Sequence, residues 1–129
     1  MAVSVLTNVK NDVVSGIMTA TLTAASSEGA SSIFCGFKPR FVRMTQTAGS
    51  PDATSRSLGV STMTAAYAVL VAAAGDLTIP TSNGFTFLDG TEASPATAMT
   101  GSPLSAGPGV TVGTGVIANS IEYFIEIYR

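Results

Sequence analysis

The stretch Ile121–Tyr128 limits the fold more than any other part of the chain. Ile121, Tyr123, Ile125 and Ile127 alternate with Glu122, Phe124, Glu126 and Tyr128. In an extended strand successive side chains point to opposite faces. The order therefore predicts a strand with one apolar face turned to a core. The other face carries two carboxylates together with Phe124 and Tyr128. Aromatic residues are enriched in interface cores, so this second face is expected to be partly covered, by a loop of the same chain or by a partner.

A second alternation runs from Met18 to Ala24. Met18, Ala20, Leu22 and Ala24 share one face, and Thr19, Thr21 and Thr23 share the other. This predicts a half-buried strand with a hydroxyl-rich outer side. Val3–Val9 is short and β-branched, with a turn at Asn11-Asp12. Ile33–Phe37 predicts a strand that Pro39 breaks at an edge, bulge or corner. Phe41–Thr45 resumes it, with Val42 and Met44 on one side and Phe41, Arg43 and Thr45 on the other. Residues 47–57 read as a polar loop. Over 62–74 the alternation of Met63, Ala65, Tyr67, Val69 and Val71 predicts a strand, while the alanine content suits a helix.

Leu77–Ile79, Phe85–Leu88, Val110–Val112 and Val116-Ile117 read as further short strands, and Asn83-Gly84 and Asp89-Gly90 as turns between elements. Residues 91–109 predict a long loop. Loops of that length in a small domain are usually functional or interface-forming. The expectation is all-β: a single domain over 1–129, a β-sandwich or jelly-roll-like barrel of about eight to ten short antiparallel strands. Residues 1–10 are a possible N-terminal arm.

Charged residues make up 11% of the chain and hydrophobic residues 46%, where a soluble domain carries about 25% charged. A disordered polar tail has the opposite balance. Six Lys and Arg against eight Asp and Glu do not make a nucleic-acid binder. No apolar run reaches the ~18 residues of a membrane helix, and no charged-then-apolar leader pattern is visible at the start. A surface this poor in charge suits a chain partly covered by copies of itself or by a partner.

With no histidine and one cysteine, neither a Ser-His-Asp triad nor a Cys-His pair can form. No metal site and no cofactor is expected. A zinc centre needs four Cys or His ligands, and Asp89-Gly90-Thr91-Glu92 reads as a turn rather than a calcium loop. Cys35 lies in an apolar run and reads as a small buried hydrophobe. Glu122 and Glu126 share a strand face as solvated acids commonly do. Lys38, Arg40 and Arg43, interleaved with Phe37 and Phe41, form the one basic cluster. It reads either as solvated edge charge or as the salt-bridge partner of a neighbouring subunit.

The phrase Gly36-Phe37-Lys38-Pro39-Arg40-Phe41-Val42-Arg43 resembles a "G-F-K-P-R-x-V" phrase of small tailed-bacteriophage virion proteins. Residues 72–90, and the run from Gly109 through the strand ending near Tyr128, also resemble that group. The resemblance spans roughly residues 33–46 and 72–128. It implies a non-enzymatic virion protein, most directly a capsid decoration (cement) protein. Such a protein would sit on the capsid surface, assemble in the host cytoplasm and bind the major capsid protein and copies of itself. A trimer is the favoured closed symmetry, with no nucleic-acid or membrane partner. A tail, neck or fibre-base component is the alternative, and a carbohydrate-binding β module a further one. Phe37, Lys38, Arg40, Phe41, Arg43, Phe124 and Tyr128 are the candidate interface residues. The 91–109 loop and residues 1–10 are candidate arms reaching a neighbour.

Overall fold

The computed structural model describes residues 3–25, 29–48, 55–72 and 74–129. Among them the chain forms β1 (Val5–Asp12), β2 (Ile17–Thr23), β3 (Ser31–Phe34), β4 (Phe41–Ala48) and β5 (Arg56–Val60). Five more follow: β6 (Val69–Val71), β7 (Leu77–Thr78), β8 (Phe85–Asp89), β9 (Pro108–Val112) and β10 (Glu122–Tyr128). No helix forms among the described residues. Seven strands make one sheet in the order β1-β2-β10-β4-β5-β6-β7, and three make a second in the order β3-β9-β8. All strand pairs are antiparallel. The two layers share one core, so the expected all-β fold is formed as a β-sandwich-like domain with unequal sheets.

β10 lies inside the large sheet, paired with β2 on one side and β4 on the other. Tyr123, Ile125 and Ile127 are fully buried, level with Met18 and Leu22 of β2 and with Val42 and Met44 of β4. The small sheet meets them with Ile33, Phe85, Val110 and Val112. Each such side chain contributes roughly 1.5–3 kcal/mol on burial. A one-residue slip would turn the whole row to the wrong face, so these rows pin the register. Opposite Phe85 the large sheet carries Gly59. A Cβ there would lie 2.9 Å from the Phe85 ring, so the missing side chain lets the layers approach.

Several segments depart from the sequence expectations. Among the described residues between 62 and 74 only Val69–Val71 is strand, and residues 61–68 form turns and loop. Ala66 adopts a φ of 67°. It accepts from the Gly84 N–H (2.8 Å) and donates to the Phe85 carbonyl (3.1 Å), so the segment's bonds go across to the start of β8. β5 rises from within the expected polar loop of 47–57, of which residues 49–54 lie outside the described residues. Its inward positions are Ser57 and Gly59, which carry no hydrophobic signal.

The Ile33–Phe37 strand stops at Phe34. Gly36 takes a φ of 85°, and the Cys35 and Gly36 N–H groups both donate to the Pro108 carbonyl (3.1 and 3.2 Å), which bends the chain. Val116 and Ile117 are buried in a turn rather than a strand.

The arm expected over residues 1–10 is instead built into the domain from Val5 onward, as edge strand β1 paired with β2; residues 1–2 lie outside the described residues. The 91–109 segment runs as loop up to β9 at Pro108, yet it is tied down along its middle. Ser32 N–H donates to Thr97 O and Met99 N–H to Ser32 O, both at 2.8 Å, which covers β3. Leu6 N–H donates to Thr100 O (2.7 Å) and Thr100 N–H to Ser4 O (3.1 Å), which covers β1. Leu104 N–H reaches Phe34 O (3.1 Å) and Ser102 Oγ accepts from Phe34 N–H (3.0 Å). This strap joins the β1 edge of one sheet to the β3 edge of the other and closes that side of the sandwich. Over 97–104 it is therefore an internal closure rather than a free arm.

Candidate functional site: the outer face of the large sheet

The same pleat that buries Tyr123, Ile125 and Ile127 sends Glu122, Phe124, Glu126 and Tyr128 to the outer side of the large sheet. The β4 register sets Phe41 beside Tyr128, Arg43 beside Glu126 and Thr45 beside Phe124. The β2 register sets Ile17, Thr19 and Thr21 on the other flank. Four of the seven interface candidates, Phe41, Arg43, Phe124 and Tyr128, therefore meet on one surface. Phe124 is 39% exposed. Phe41 and Tyr128 are half-buried, with ring centroids 6.0 Å apart and planes tilted by 42°.

At the centre of this face Arg43 and Glu126 form a bidentate pair, Nε to Oε1 at 2.8 Å and Nη2 to Oε2 at 3.0 Å. The Tyr128 hydroxyl donates to Glu126 Oε2 at 2.6 Å. The Arg43 hydrogen bonds hold the Glu126 carboxyl below its ordinary range, and Tyr128 adds to this. The bond to Glu126 in turn pushes the Tyr128 phenol and the Arg43 guanidinium upward. A general acid near neutral pH needs its carboxyl raised, and Glu126 moves the other way. The trio is chemically a fixed ionic clasp, with flat planar groups lying across the sheet. Glu122 is engaged separately, accepting from Thr47 Oγ1 at 3.1 Å.

Beside the clasp a groove of about 440 Å³ crosses β4, β5 and β6. Leu58, Val69 and Val71 form an aliphatic floor, with Arg43, Arg56 and Glu126 at the rim. β5 and β6 supply that floor because Leu58 pairs with Val69 and Arg56 with Val71, all on the outer side. The outer face is thus divided: threonines toward β2, aliphatic side chains toward β6. Such a surface can hold an apolar partner group next to a carboxylate.

The remaining candidates sit elsewhere. Phe37 is 4% exposed and packs in the core, a correction to its place among interface residues: the bend at Gly36 turns the ring inward. Lys38 is exposed and its charge helps lower the Asp89 carboxyl, although the Thr91 hydrogen bonds act more strongly. Arg40 is exposed at the entry to β4, with its backbone N–H on Tyr128 O at 2.8 Å. The basic cluster is therefore dispersed. Arg43, expected to reach a neighbouring subunit if it formed a salt bridge, instead pairs with Glu126 of its own chain.

The turn reading of 89–92 holds: Asp89 Oδ1 accepts from Thr91 N–H (3.0 Å) and Thr91 Oγ1 (2.6 Å). Cys35 is fully buried, and burial raises its thiol. Its Sγ–H donates to the Phe37 carbonyl at 3.3 Å. The groove escaped sequence reasoning because Arg56 and Leu58 lay in or beside an apparent loop. The alternation Arg56, Leu58, Val60 against Ser57 and Gly59 was the available signal.

Comparisons with protein-family models, with curated proteins and with solved structures give no match.

Proposed function

We propose that this chain is a non-enzymatic structural protein of a tailed-phage particle, most directly a capsid decoration protein, which meets its shell through the outer face of the large sheet. The observation that carries the reading is the content of that face. An ionic clasp, three aromatic rings and an aliphatic groove lie together on a broad sheet surface. Aromatic and arginine side chains are the common anchors of protein interfaces. The phrase Gly36–Arg43 and the closing strand, which carry the likeness to virion proteins, supply Phe41, Arg43, Phe124 and Tyr128 to this same face. The low charge of the chain suits a protein that works with part of its surface covered. Many weak copies of one contact, repeated over a shell, would add up to firm attachment.

The test is the copy number of the chain in purified particles of the phage that encodes it, read by quantitative mass spectrometry against the major capsid protein. A ratio comparable with the capsid protein is expected. A ratio far below it would place the chain in the tail or neck instead, and absence from particles would refute the virion reading.

A further inference from the structure

The large sheet ends in two edge strands, and they are treated differently. β1 is guarded. Its register shifts between Thr7 and Lys10, with Asn8 at a φ of 52°, and Thr100 of the strap bonds along its start. Bulges, lysines and covering segments are the usual devices that stop an edge from pairing. At the opposite edge, β7 exposes Leu77 at 65%, and Ile79, the residue after its end, is 52% exposed.

The free backbone groups of β7 follow from the ladder. Ala72 N–H donates to Asp76 O (3.0 Å) and Ala68 N–H to Pro80 O (3.3 Å), while Thr78 pairs with Leu70 between them. Bonding direction alternates along an antiparallel strand. Asp76, Thr78 and Pro80 therefore face β6, and Leu77 and Ile79 turn both N–H and C=O to the open side. Pro80, which has no N–H, falls at an inward position and removes no outward donor. Gly75, at a φ of 91°, donates its N–H to the Ala72 carbonyl at 2.8 Å, which helps hold β7 against β6.

We infer that β7 pairs antiparallel with β7 of a second copy of this chain, about a two-fold axis at Thr78. That register sets Leu77 opposite Ile79 of the partner subunit, and Ile79 opposite Leu77 of the partner subunit. Each pair can exchange both of its N–H···O bonds. The four aliphatic side chains then cluster on the outer face, next to Val71, and extend the groove floor to the axis. Asp76 comes opposite Pro80 of the partner subunit, so no like charges meet. The occupant is a second copy because the edge is complementary to itself in spacing of donors and acceptors, in side chains and in charge. The isologous two-fold is the commonest closed symmetry. It takes the place of the threefold association suggested by sequence, and it stands whether or not the chain belongs to a phage particle.

Sedimentation velocity of the full chain over a range of concentrations tests this. The wild-type chain is expected as a dimer. The variant carrying Leu77→Lys and Ile79→Lys sets lysine against lysine and is expected at half that mass, with the far-UV spectrum of a folded β chain and a melting temperature that no longer rises with protein concentration as the dimer's does. The variant carrying Leu77→Lys and Ile79→Glu sets lysine against glutamate across the axis and is expected to dimerise again. A wild-type monomer or trimer, a dimer that survives the two lysines, or a Lys–Glu variant that stays monomeric overturns the proposal.

Discussion

The two faces of β10 have opposite dependencies on the rest of the chain. Inward, Tyr123, Ile125 and Ile127 are fully buried and belong to the one core cluster that both sheets share. Outward, Phe124, Glu126 and Tyr128 touch mainly their neighbours on β2 and β4, and Phe124 stays 39% exposed. Large side chains on the inner face are explained by folding alone. On the outer face an aromatic ring, an ion pair and a second ring bring little stability for their size, since exposed ion pairs contribute weakly. The contrast separates the residues that make the domain from those available to a partner.

Substitutions on the two faces can break or sharpen that contrast. Ile125→Ala leaves a cavity between the sheets and should lower unfolding free energy by about 2–5 kcal/mol, read by urea denaturation; a change under about 1 kcal/mol would mean the inner face is not the core. Tyr123→Phe removes the hydroxyl that accepts from the Ala118 N–H at 2.9 Å. Its expected loss is roughly 0.5–1.5 kcal/mol, the net contribution of a typical intramolecular hydrogen bond, since this one is part-buried.

Glu126→Gln acts on the outer face and should change stability least at neutral pH among these three. Its signature is in the pH dependence. The folded carboxyl lies below its unfolded range, chiefly because of Arg43. Its contribution is therefore present above the unfolded pKa and is lost as pH falls through the folded one. Melting curves of Glu126→Gln should accordingly fall less steeply on acidification than those of the wild type. Parallel curves would mean the clasp is not closed in solution.

Both faces of β10 were legible in the sequence, because a strand's alternation is local and this one is unbroken. The same holds for β2 and for Val42 and Met44 of β4. Legibility failed where the determining contact is distant. The strap over 97–104 has no period of its own, and its hydrogen bonds go to Ser4, Leu6, Ser32 and Phe34, far back in the chain. β5 escaped because its inward residues, Ser57 and Gly59, are small, Gly59 making room for Phe85. Phe37 was misplaced because its direction depends on the bend at Gly36. Four of the seven interface candidates reached one face because β4 and β10 are adjacent. Glu126 as the partner of Arg43 required knowing that pairing.

The outer face of the large sheet is proposed as the surface through which this chain meets a capsid shell. If the chain is the phage decoration protein proposed, co-sedimentation of the purified chain with undecorated capsids of the phage that encodes it, comparing wild type with Phe124→Ser, tests this directly. Phe124→Ser should stay folded, losing less than about 1 kcal/mol of cross-strand packing. The account predicts that the wild type pellets with the capsids and the folded variant remains largely in the supernatant. Equal pelleting of the two, or a wild type that never pellets, would contradict it.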